Sequence, residues 1–376
     1  MRSSRFIKLA LALSFLVSAQ VSHADVLKRK KPKPAATAQL PLPTRVDTPT
    51  QVRPLETVRE LTIMAYNVLN LKTHVGFFER APEGNFLRKS GPEDKPNYQV
   101  QGVVRAIKDV NPDIAIFAEI EGVETLAEFN RQYLDGAYTT HIVRGNDGRG
   151  IEVGLIVKKD LPLTFTFESY RDVTWQDPAI RRKQPLFSRD LPTLIIRRAN
   201  QPTGPPALIV MGNHGKSKRN RSGDFESTIW RTAQYVGMAS IIDDYRARFG
   251  EDVPMIVGGD FNTDITDGKE MGPIHERLLD VFDIVGLTGQ SRVTHSYFPP
   301  GGPVDYQQVD AIFISEILKP NVLSASVYRY KDGNGNELPL PRSFNERQKN
   351  PSDHYPVVLK LKTSRIFPEA FGIPVP

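Results

Sequence analysis

The feature of this sequence that most constrains its fold is a series of short apolar runs, each of which meets a polar residue at one end. The runs are rich in β-branched residues, as buried strands are. They cover residues 61–66, 113–118, 207–211, 253–257, 309–314 and 355–361. Helical patterns lie between them, over 98–110 before Asn111-Pro112 and over 228–249 before Gly250. Alternating strands and helices predict an α/β fold.

The polar residues at the ends of these runs predict a common site. Ligand sites in open α/β folds form where strand ends converge. One polar residue at a strand end usually marks only where the strand leaves the core, so the inference depends on all the runs together. The residues are Asn67, Glu119, Asn213, His214, Asp260, Asn262, Asp310, Asp353 and His354. Oxygen ligands suit Mg²⁺, and histidine beside a carboxylate suits proton transfer, so this set is adapted to phosphoryl chemistry.

Six segments carry these residues in the order and spacing of a known family. They are residues 65–70, 118–121, 212–218, 258–263, 309–310 and 352–354. Together they resemble the endonuclease/exonuclease/phosphatase superfamily, from about residue 61 to about residue 361. Within it, the segments 213–218 and 189–191 resemble those of secreted bacterial nucleases. The resemblance implies a four-layer α/β sandwich, with two packed mixed β-sheets flanked by helices.

The resemblance also implies a metal site and a proton-transfer pair. Glu119 is implied as the main metal carboxylate, with Asn67 and Asp353 near the same cation. The ion would be Mg²⁺, with Mn²⁺ as the alternative. His354 and Asp310 are implied as a histidine–carboxylate dyad, in which the carboxylate fixes the tautomer of the imidazole and raises its pKa.

Three further residues receive roles from the resemblance. Asp260 would orient or deprotonate the attacking water, and Asn262 and His214 would stabilise the transition state. The sequence leaves open whether Asp260 or His354 is the general base. The residue before the metal glutamate is Ala118, where relatives have glutamine, so one supporting hydrogen bond is expected to be missing.

Basic residues near the catalytic motifs are candidates for contact with substrate phosphates. We expect Lys216, Lys218 and Arg189 to contact substrate phosphates. The alternative for Lys216 and Lys218 is a position in a solvated loop without substrate contact. The net charge gives no further support for nucleic-acid binding. The chain carries +6, but residues 1–55 hold ten basic and two acidic residues, so residues 56–376 carry −2.

The ends of the chain differ in character from its middle. Residues 1–24 have the basic start, apolar run and small residue at position 24 of a signal peptide, and the run is too short for a membrane anchor. Residues 25–55 form a basic, proline-rich linker, residues 56–365 a catalytic domain and residues 366–376 a tail. We therefore expect a protein exported to the periplasm or beyond, without an integral membrane segment and monomeric. It has no cysteine for a disulfide, a thiolate metal site or a cysteine nucleophile.

Three functions remain open from the sequence. The first is a nuclease for DNA or RNA, and the second is a lipid-headgroup phosphodiesterase resembling sphingomyelinases. Residues 297–300 are the candidate membrane contact for the second function. The third is a non-catalytic binding protein, which would not need the full set of site residues. Gln308 and Ala311 depart from the family pattern near the substrate face, and His295 fits either packing or substrate contact. Residues 74–96 form a lid, a substrate wall or a tolerated insertion.

Overall fold

The computed structural model describes residues 52–71 and 95–371. The predicted signal peptide, most of the linker, nearly all of segment 74–96 and the last five residues lie outside the described residues. No helix within the described ranges is long and apolar enough to cross a membrane.

The strands form two large sheets and two ribbons. In chain order they are β1 Glu60–Leu71, β2 Ile114–Glu121, β3 Tyr138–Ile142, β4 Ile151–Lys158, β5 Leu163–Glu168, β6 Thr174–Asp177, β7 Arg182–Pro185, β8 Thr193–Arg198, β9 Leu208–His214, β10 Met255–Asp260, β11 Leu279–Asp280, β12 His295–Tyr297, β13 Asp305–Gln307, β14 Asp310–Ile314, β15 Val322–Val327 and β16 Val357–Lys362. One sheet has the order β15-β16-β1-β2-β4-β3, and the other has the order β11-β14-β10-β9-β8-β5. β6 pairs with β7, and β12 pairs with β13. Both large sheets are mixed, because β1–β2 and β9–β10 are parallel and the other pairs are antiparallel.

Six α-helices connect or flank the strands of the described residues. They are α1 Asn97–Val110, α2 Gly122–Tyr133, α3 Thr228–Phe249, α4 Gly268–His275, α5 Val281–Ile284 and α6 Phe344–Arg347. Short 3-10 helices span Leu55–Thr57, Phe225–Ser227, Gly289–Arg292, Glu316–Asn321 and Pro368–Phe371. Buried residues of α1 and α2 pack on the first sheet, and those of α3 and α4 pack on the second. The predicted α/β sandwich of two mixed sheets flanked by helices is confirmed.

The two sheets pack directly on each other through alternate residues of their strands. In β1, Leu61, Ile63 and Ala65 face the second sheet, whereas Met64 and Tyr66 face the helices. This period of two is what a strand buried on both faces produces. Glycine permits close approach of the sheets: a Cβ on Gly258 would lie only 2.8 Å from Ile116 Cδ1. The sheets therefore approach each other closely under the ends of their central strands.

Two predicted strand ends need correction. β1 and β2 continue through Asn67 and Glu119 instead of ending there, because each strand passes an irregularity and pairing resumes beyond it. At the other end of the chain, Ile366 and Phe367 are fully buried against the core between the sheets. Apolar side chains beyond residue 365 therefore contribute to this core, since their burial removes apolar surface from water.

Candidate active site

Strand pairing places three of the predicted site residues side by side in the second sheet. Asp260, the last residue of β10, is directly opposite His214 on parallel β9. It is also opposite Asp310, the first residue of antiparallel β14. Residues opposite each other in neighbouring strands have adjacent side chains when these point to the same face. The fold thus gathers His214, Asp260 and Asp310 at one end of the sheet, although 96 residues separate the first from the last.

A buried imidazole and a carboxylate form the predicted dyad. His354 Nδ1 lies 2.8 Å from Asp310 Oδ2, and both residues are buried. The other ring nitrogen, Nε2, lies 3.9 Å from Asp260 Oδ2. Burial opposes protonation of His354, yet the charges of Asp310 and Asp260 outweigh it and hold the pKa of His354 well above its ordinary value. The neighbouring carboxylates therefore favour the protonated form of His354, whose second ring nitrogen faces Asp260.

Asp260 is held by amide groups on two sides. Asn67 Nδ2 and Asn262 Nδ2 donate to Asp260 Oδ2 over 3.0 and 3.1 Å, and the backbone N–H of Asn262 donates to Oδ1 over 2.7 Å. Burial raises the pKa of Asp260, while His354 and the hydrogen bonds of Asn67 and Asn262 lower it in part. These contacts fix the orientation of the carboxylate, as a group that positions water requires.

His214 completes the site on the side of β9. The residue is buried, and its Nε2 lies 3.6 Å from Asp260 Oδ2 and 3.9 Å from Glu119 Oε1. Burial lowers the pKa of His214 well below its ordinary value, and the charges of Arg189 and Arg149 add to this effect. The surroundings of the two imidazoles thus shift their pKa values in opposite directions.

Glu119 and Asp353 are partly buried carboxylates whose negative charges interact. Glu119 has a φ of 65°, a left-handed conformation that turns its side chain at the irregularity in β2. Its Oε2 accepts a hydrogen bond from the backbone N–H of Asn70 over 3.1 Å. Burial and the charge of Asp353 raise the pKa of Glu119. A non-glycine residue in this conformation costs about 1–3 kcal/mol and is typical of functional sites.

These residues fit a hard divalent cation. Asp353 Oδ1 is buried and has no hydrogen-bond partner within residues 52–71 and 95–371, which is costly for a carboxylate oxygen unless a cation is bound. Glu119 and Asn67 add oxygen donors; the amide oxygen of Asn67 accepts from the backbone N–H of Leu69 over 3.0 Å and retains a second lone pair. Mg²⁺ and Mn²⁺ prefer such all-oxygen donor sets.

The sequence matches one family over most of its length. The profile of the endonuclease/exonuclease/phosphatase family matches residues 64–354, a range that begins in β1 and ends at the dyad histidine. The chain belongs to the endonuclease/exonuclease/phosphatase family. Members of this family are metal-dependent phosphodiesterases and nucleases. No curated protein sequence matches the chain significantly.

Solved structures of low sequence identity share the fold. Truncated TDP2 from Caenorhabditis elegans is 17% identical, with 81% of this chain and 98% of that chain covered and a TM-score of 0.51. D. rerio TDP2 complexed with a single-strand DNA product is 16% identical, with 81% of this chain and 99% of that chain covered and a TM-score of 0.51. The human Nocturnin catalytic domain with bound sulfate is 16% identical, with 81% of this chain and 93% of that chain covered and a TM-score of 0.50.

The three basic residues predicted to contact substrate lie in different environments. Arg189 is 2% exposed, and its Nη1 donates to the backbone oxygen of Gly215 over 3.0 Å. It therefore supports the loop that follows His214, and direct substrate contact stays a prediction. Lys216 is half-buried and Lys218 is exposed. Burial lowers the pKa of Lys216 to about 8.

Lys218 lines a cavity next to the segments that carry the predicted site residues His214, Asn262 and Asp310. The cavity has a volume of about 360 Å³. Gln308, two residues before the dyad aspartate, and Asp264, two residues after Asn262, also line it. The departure from the family pattern at Gln308 therefore lies on the wall of a cavity beside the site.

The structure adds four residues to the site that the sequence did not assign. The ring of His295 packs against that of His354 in a tilted arrangement with 4.5 Å between ring centroids, and its Nε2 lies 3.8 Å from Asp353 Oδ2. This favours a site role for His295, which the sequence left open between packing and substrate contact. Arg347 Nη1 lies 3.4 Å from the same carboxylate oxygen.

The other two are Lys95 and Arg149. Lys95 is buried, and burial lowers its pKa to about 8, although the charges of Asp353 and Glu119 oppose this shift. Arg149 is held by Asp147, whose Oδ2 lies 3.0 Å from its Nη2. In the sequence these four residues stand outside the six motifs, and only the position of His295 in a Thr-His-Ser segment gave a signal.

Proposed function

We propose that this chain is an exported, divalent-metal-dependent phosphodiesterase that hydrolyses the phosphodiester bonds of DNA or RNA. One observation carries the proposal: oxygen donors from six separated segments come together with two imidazoles whose pKa values are shifted in opposite directions. The site residues are Asn67, Glu119, His214, Asp260, Asn262, Asp310, Asp353 and His354. A binding protein would not need the dyad of His354 and Asp310, or the separately positioned carboxylate of Asp260, beside the oxygen donors for a cation.

In this proposal Glu119 and Asp353 hold the cation through carboxylate oxygens, with the amide of Asn67 beside them. The cation would neutralise charge on the scissile phosphate. Lys95 and Arg347 flank the same carboxylates, which limits their mutual repulsion in the free protein. Hydrogen bonds from the backbone of Asn70 and the irregularity in β2 keep Glu119 in place.

The proposal gives Asp260 and His354 different roles. Asp260 has a raised pKa and fixed geometry, so it accepts the proton of the attacking water as the new bond between oxygen and phosphorus forms. The bond to the leaving oxygen breaks on the opposite side of phosphorus. The protonated form of His354 is favoured, so its Nε2–H stabilises negative charge on a phosphate oxygen. His214 and Asn262 add hydrogen-bond donors to the same charge.

Nucleic acid is the favoured substrate. The fold accommodates it in one relative, D. rerio TDP2, which was solved with a single-strand DNA product. The candidate lipid-binding segment of this chain is weakly suited to insertion in a membrane. Phe298 packs against Phe344, with 6.5 Å between centroids, and the guanidinium of Arg347 lies 5.9 Å from the Phe298 ring. Tyr297, 47% exposed, is the remaining aromatic residue of that segment.

A substrate panel tests this proposal. Purified protein is incubated with Mg²⁺ or Mn²⁺ and plasmid DNA, single-stranded DNA, RNA, sphingomyelin vesicles or a small phosphodiester. We expect cleavage of at least one nucleic acid, abolished by EDTA. Cleavage of sphingomyelin alone would replace the nuclease with a lipid phosphodiesterase, and no turnover of any substrate would favour a binding protein.

Export is a separate part of the proposal and needs its own test. It rests on the signal-peptide features of residues 1–24. The exported protein should begin at Asp25 when its amino terminus is sequenced. Recovery of the chain only in the cytoplasm with residues 1–24 intact would refute it.

A further inference from the structure

Two groups of basic residues, separate in the sequence, form one surface beside the site. The β6–β7 hairpin carries Arg181, Arg182 and Lys183 around its turn, all exposed. The loop after His214 carries Lys218 and Arg219, also exposed. We call these five residues, together with Phe225, the basic–aromatic surface.

Specific contacts join the hairpin to the loop. The guanidinium of Arg221 bonds Asp177 at the end of β6 and also Asp224, whose Oδ2 lies 2.6 Å from its Nη2. A Cβ on Gly223 would lie 3.0 Å from the backbone oxygen of Ala179, so the hairpin turn packs closely on the loop. One arginine therefore pairs with both aspartates, and the exposed cations on both segments remain available to bind anions.

The loop begins inside the catalytic site. The backbone N–H of Gly215, next to His214, donates to the backbone oxygen of Asp260 over 2.8 Å. The backbone oxygen of Gly215 accepts from Asn262 over 3.1 Å. A nucleic-acid strand with one phosphate at His214 can thus continue along this loop.

Phe225 is highly exposed to solvent at the far end of the loop. It is 73% exposed, the largest exposed fraction among the large apolar side chains of the described residues. The two residues after it, Glu226 and Ser227, have φ angles of 51° and 53°. Consecutive non-glycine residues in the left-handed region are uncommon and are retained where surrounding contacts impose them.

Buried contacts impose this backbone conformation. Arg231, fully buried, donates to the backbone oxygens of Lys216 and Glu226 over 3.0 and 2.9 Å. Asp224 accepts from the backbone N–H of Ile229 over 2.8 Å. The exposed position of Phe225 is therefore built into the fold and is not a frayed end.

We propose that the basic–aromatic surface binds a single-stranded stretch of the nucleic-acid substrate, with its phosphates on the cations and one base stacked on Phe225. This inference rests on the proposed function, whose scissile phosphate lies at His214. A ring can stack on a base only where that base is free of its neighbours, which single strands permit and duplexes do not. An anionic membrane would also attract the cations, but Phe225 and Ile229, 41% exposed, are a small apolar area for insertion.

Binding to a labelled oligothymidylate, measured by fluorescence anisotropy in EDTA, tests the stacking contact. We expect Phe225→Ala to weaken binding about tenfold and Phe225→Trp to retain it. Leu323→Ala is the matched control, because Leu323 is 49% exposed on the edge strand β15 of the other sheet. Equal affinity of wild type and Phe225→Ala would overturn the inference, and so would an equal loss on duplex DNA.

Salt dependence tests the cations separately. Binding of the oligothymidylate should weaken less steeply with salt when Arg181, Arg182 and Lys183 are replaced with alanine. The slope of the logarithm of the association constant against the logarithm of the salt concentration should fall in magnitude by about two, since each phosphate contact on a single strand contributes roughly 0.7. The control replaces Lys108, Lys319 and Lys360, which are exposed on other parts of the chain. An unchanged slope would overturn the inference.

The failures of the two proposals can be told apart. If the variants weaken binding only to phosphatidylserine vesicles, the surface is a lipid contact and the inference is wrong. If the protein cleaves nucleic acid but Phe225→Ala binds single strands normally, only the surface inference fails. If the surface binds single strands as expected but no nucleic acid is cleaved with Mg²⁺ or Mn²⁺, only the proposed function fails.

Discussion

His354 and Asp310 are held 2.8 Å apart by elements of different sheets. Asp310 is the first residue of β14 in the second sheet, and His354 precedes β16 in the first. Thr294 fixes the start of β14, because its hydroxyl oxygen accepts from the backbone N–H of Asp310 over 3.0 Å. The dyad therefore exists only when both sheets are correctly packed, which couples catalysis to the core between them.

The dyad predicts a large effect of a small change at Asp310. An asparagine would leave the shape of the side chain nearly unchanged but remove the charge that stabilises the imidazolium of His354. We expect kcat for Asp310→Asn to fall by about 10²-fold or more. Steady-state kinetics measure this, with circular dichroism as the check on folding. A folded variant within twofold of wild type would contradict a role for the dyad.

Metal binding should depend on Glu119. Burial and the charge of Asp353 raise the pKa of Glu119, so its ionised form is unfavourable in the metal-free protein. Glu119→Gln should therefore weaken Mn²⁺ binding by more than tenfold in calorimetry, while the metal-free variant melts no lower than wild type. A variant that binds Mn²⁺ normally would remove Glu119 from the metal site, and one that unfolds would show a structural role.

His141 predicts a pH dependence of stability away from the site. Burial lowers its pKa to about 4 from an ordinary value of 6.5. Between these values the unfolded chain binds a proton that the folded chain does not, so the contribution of neutral His141 is present above pH 6.5 and is lost as the pH falls toward 4. The difference in unfolding free energy between wild type and His141→Gln should shrink over this range. Urea titrations at pH 7.5 and 4.5 measure it, and a constant difference would contradict the lowered pKa.

The buried pair of Arg231 and Glu270 predicts a strong effect on stability. The two side chains join α3 to α4, with Glu270 Oε1 2.7 Å from Arg231 Nη2. Glu270→Ala would leave a buried guanidinium uncompensated and should destabilise the protein by about 3–5 kcal/mol. Glu276→Ala, at an exposed position, should change stability by less than about 0.5 kcal/mol. Urea titration compares the two, and equal effects would contradict the pairing.

The α/β class followed from local signals in the sequence, whereas the two-sheet sandwich and the roles of the site residues were implied by the family resemblance. The helix over 228–249 begins and ends as predicted, because Gly250 closes it with a φ of 102°. The strands carrying His214, Asp260 and Asp310 were also identifiable, since an apolar run followed by polar residues marks a buried strand and its end. What brings those residues together is strand register, which the family resemblance supplied and local patterns did not.

Other parts depend on contacts between distant segments and left little trace in the sequence. The packing of His295 against His354 arises from pairing between their backbones, 59 residues apart. The left-handed conformation of Glu119 has no glycine or asparagine to signal it. The ion pair between Arg221 and Asp177 brings the two basic segments together into one surface, and the pattern of charges along the sequence does not show this contact.

The most direct test of a single metal-assisted catalytic centre is hydrolysis of a small phosphodiester, bis(p-nitrophenyl) phosphate, which minimises the influence of substrate-specific surfaces. Wild type, His354→Ala and Asp260→Asn are compared with and without Mg²⁺. We expect wild-type turnover that requires Mg²⁺ and is about 10²-fold or more slower in both variants. Turnover that survives EDTA, or that is equal in wild type and both variants, would contradict a metal-assisted centre built from these residues.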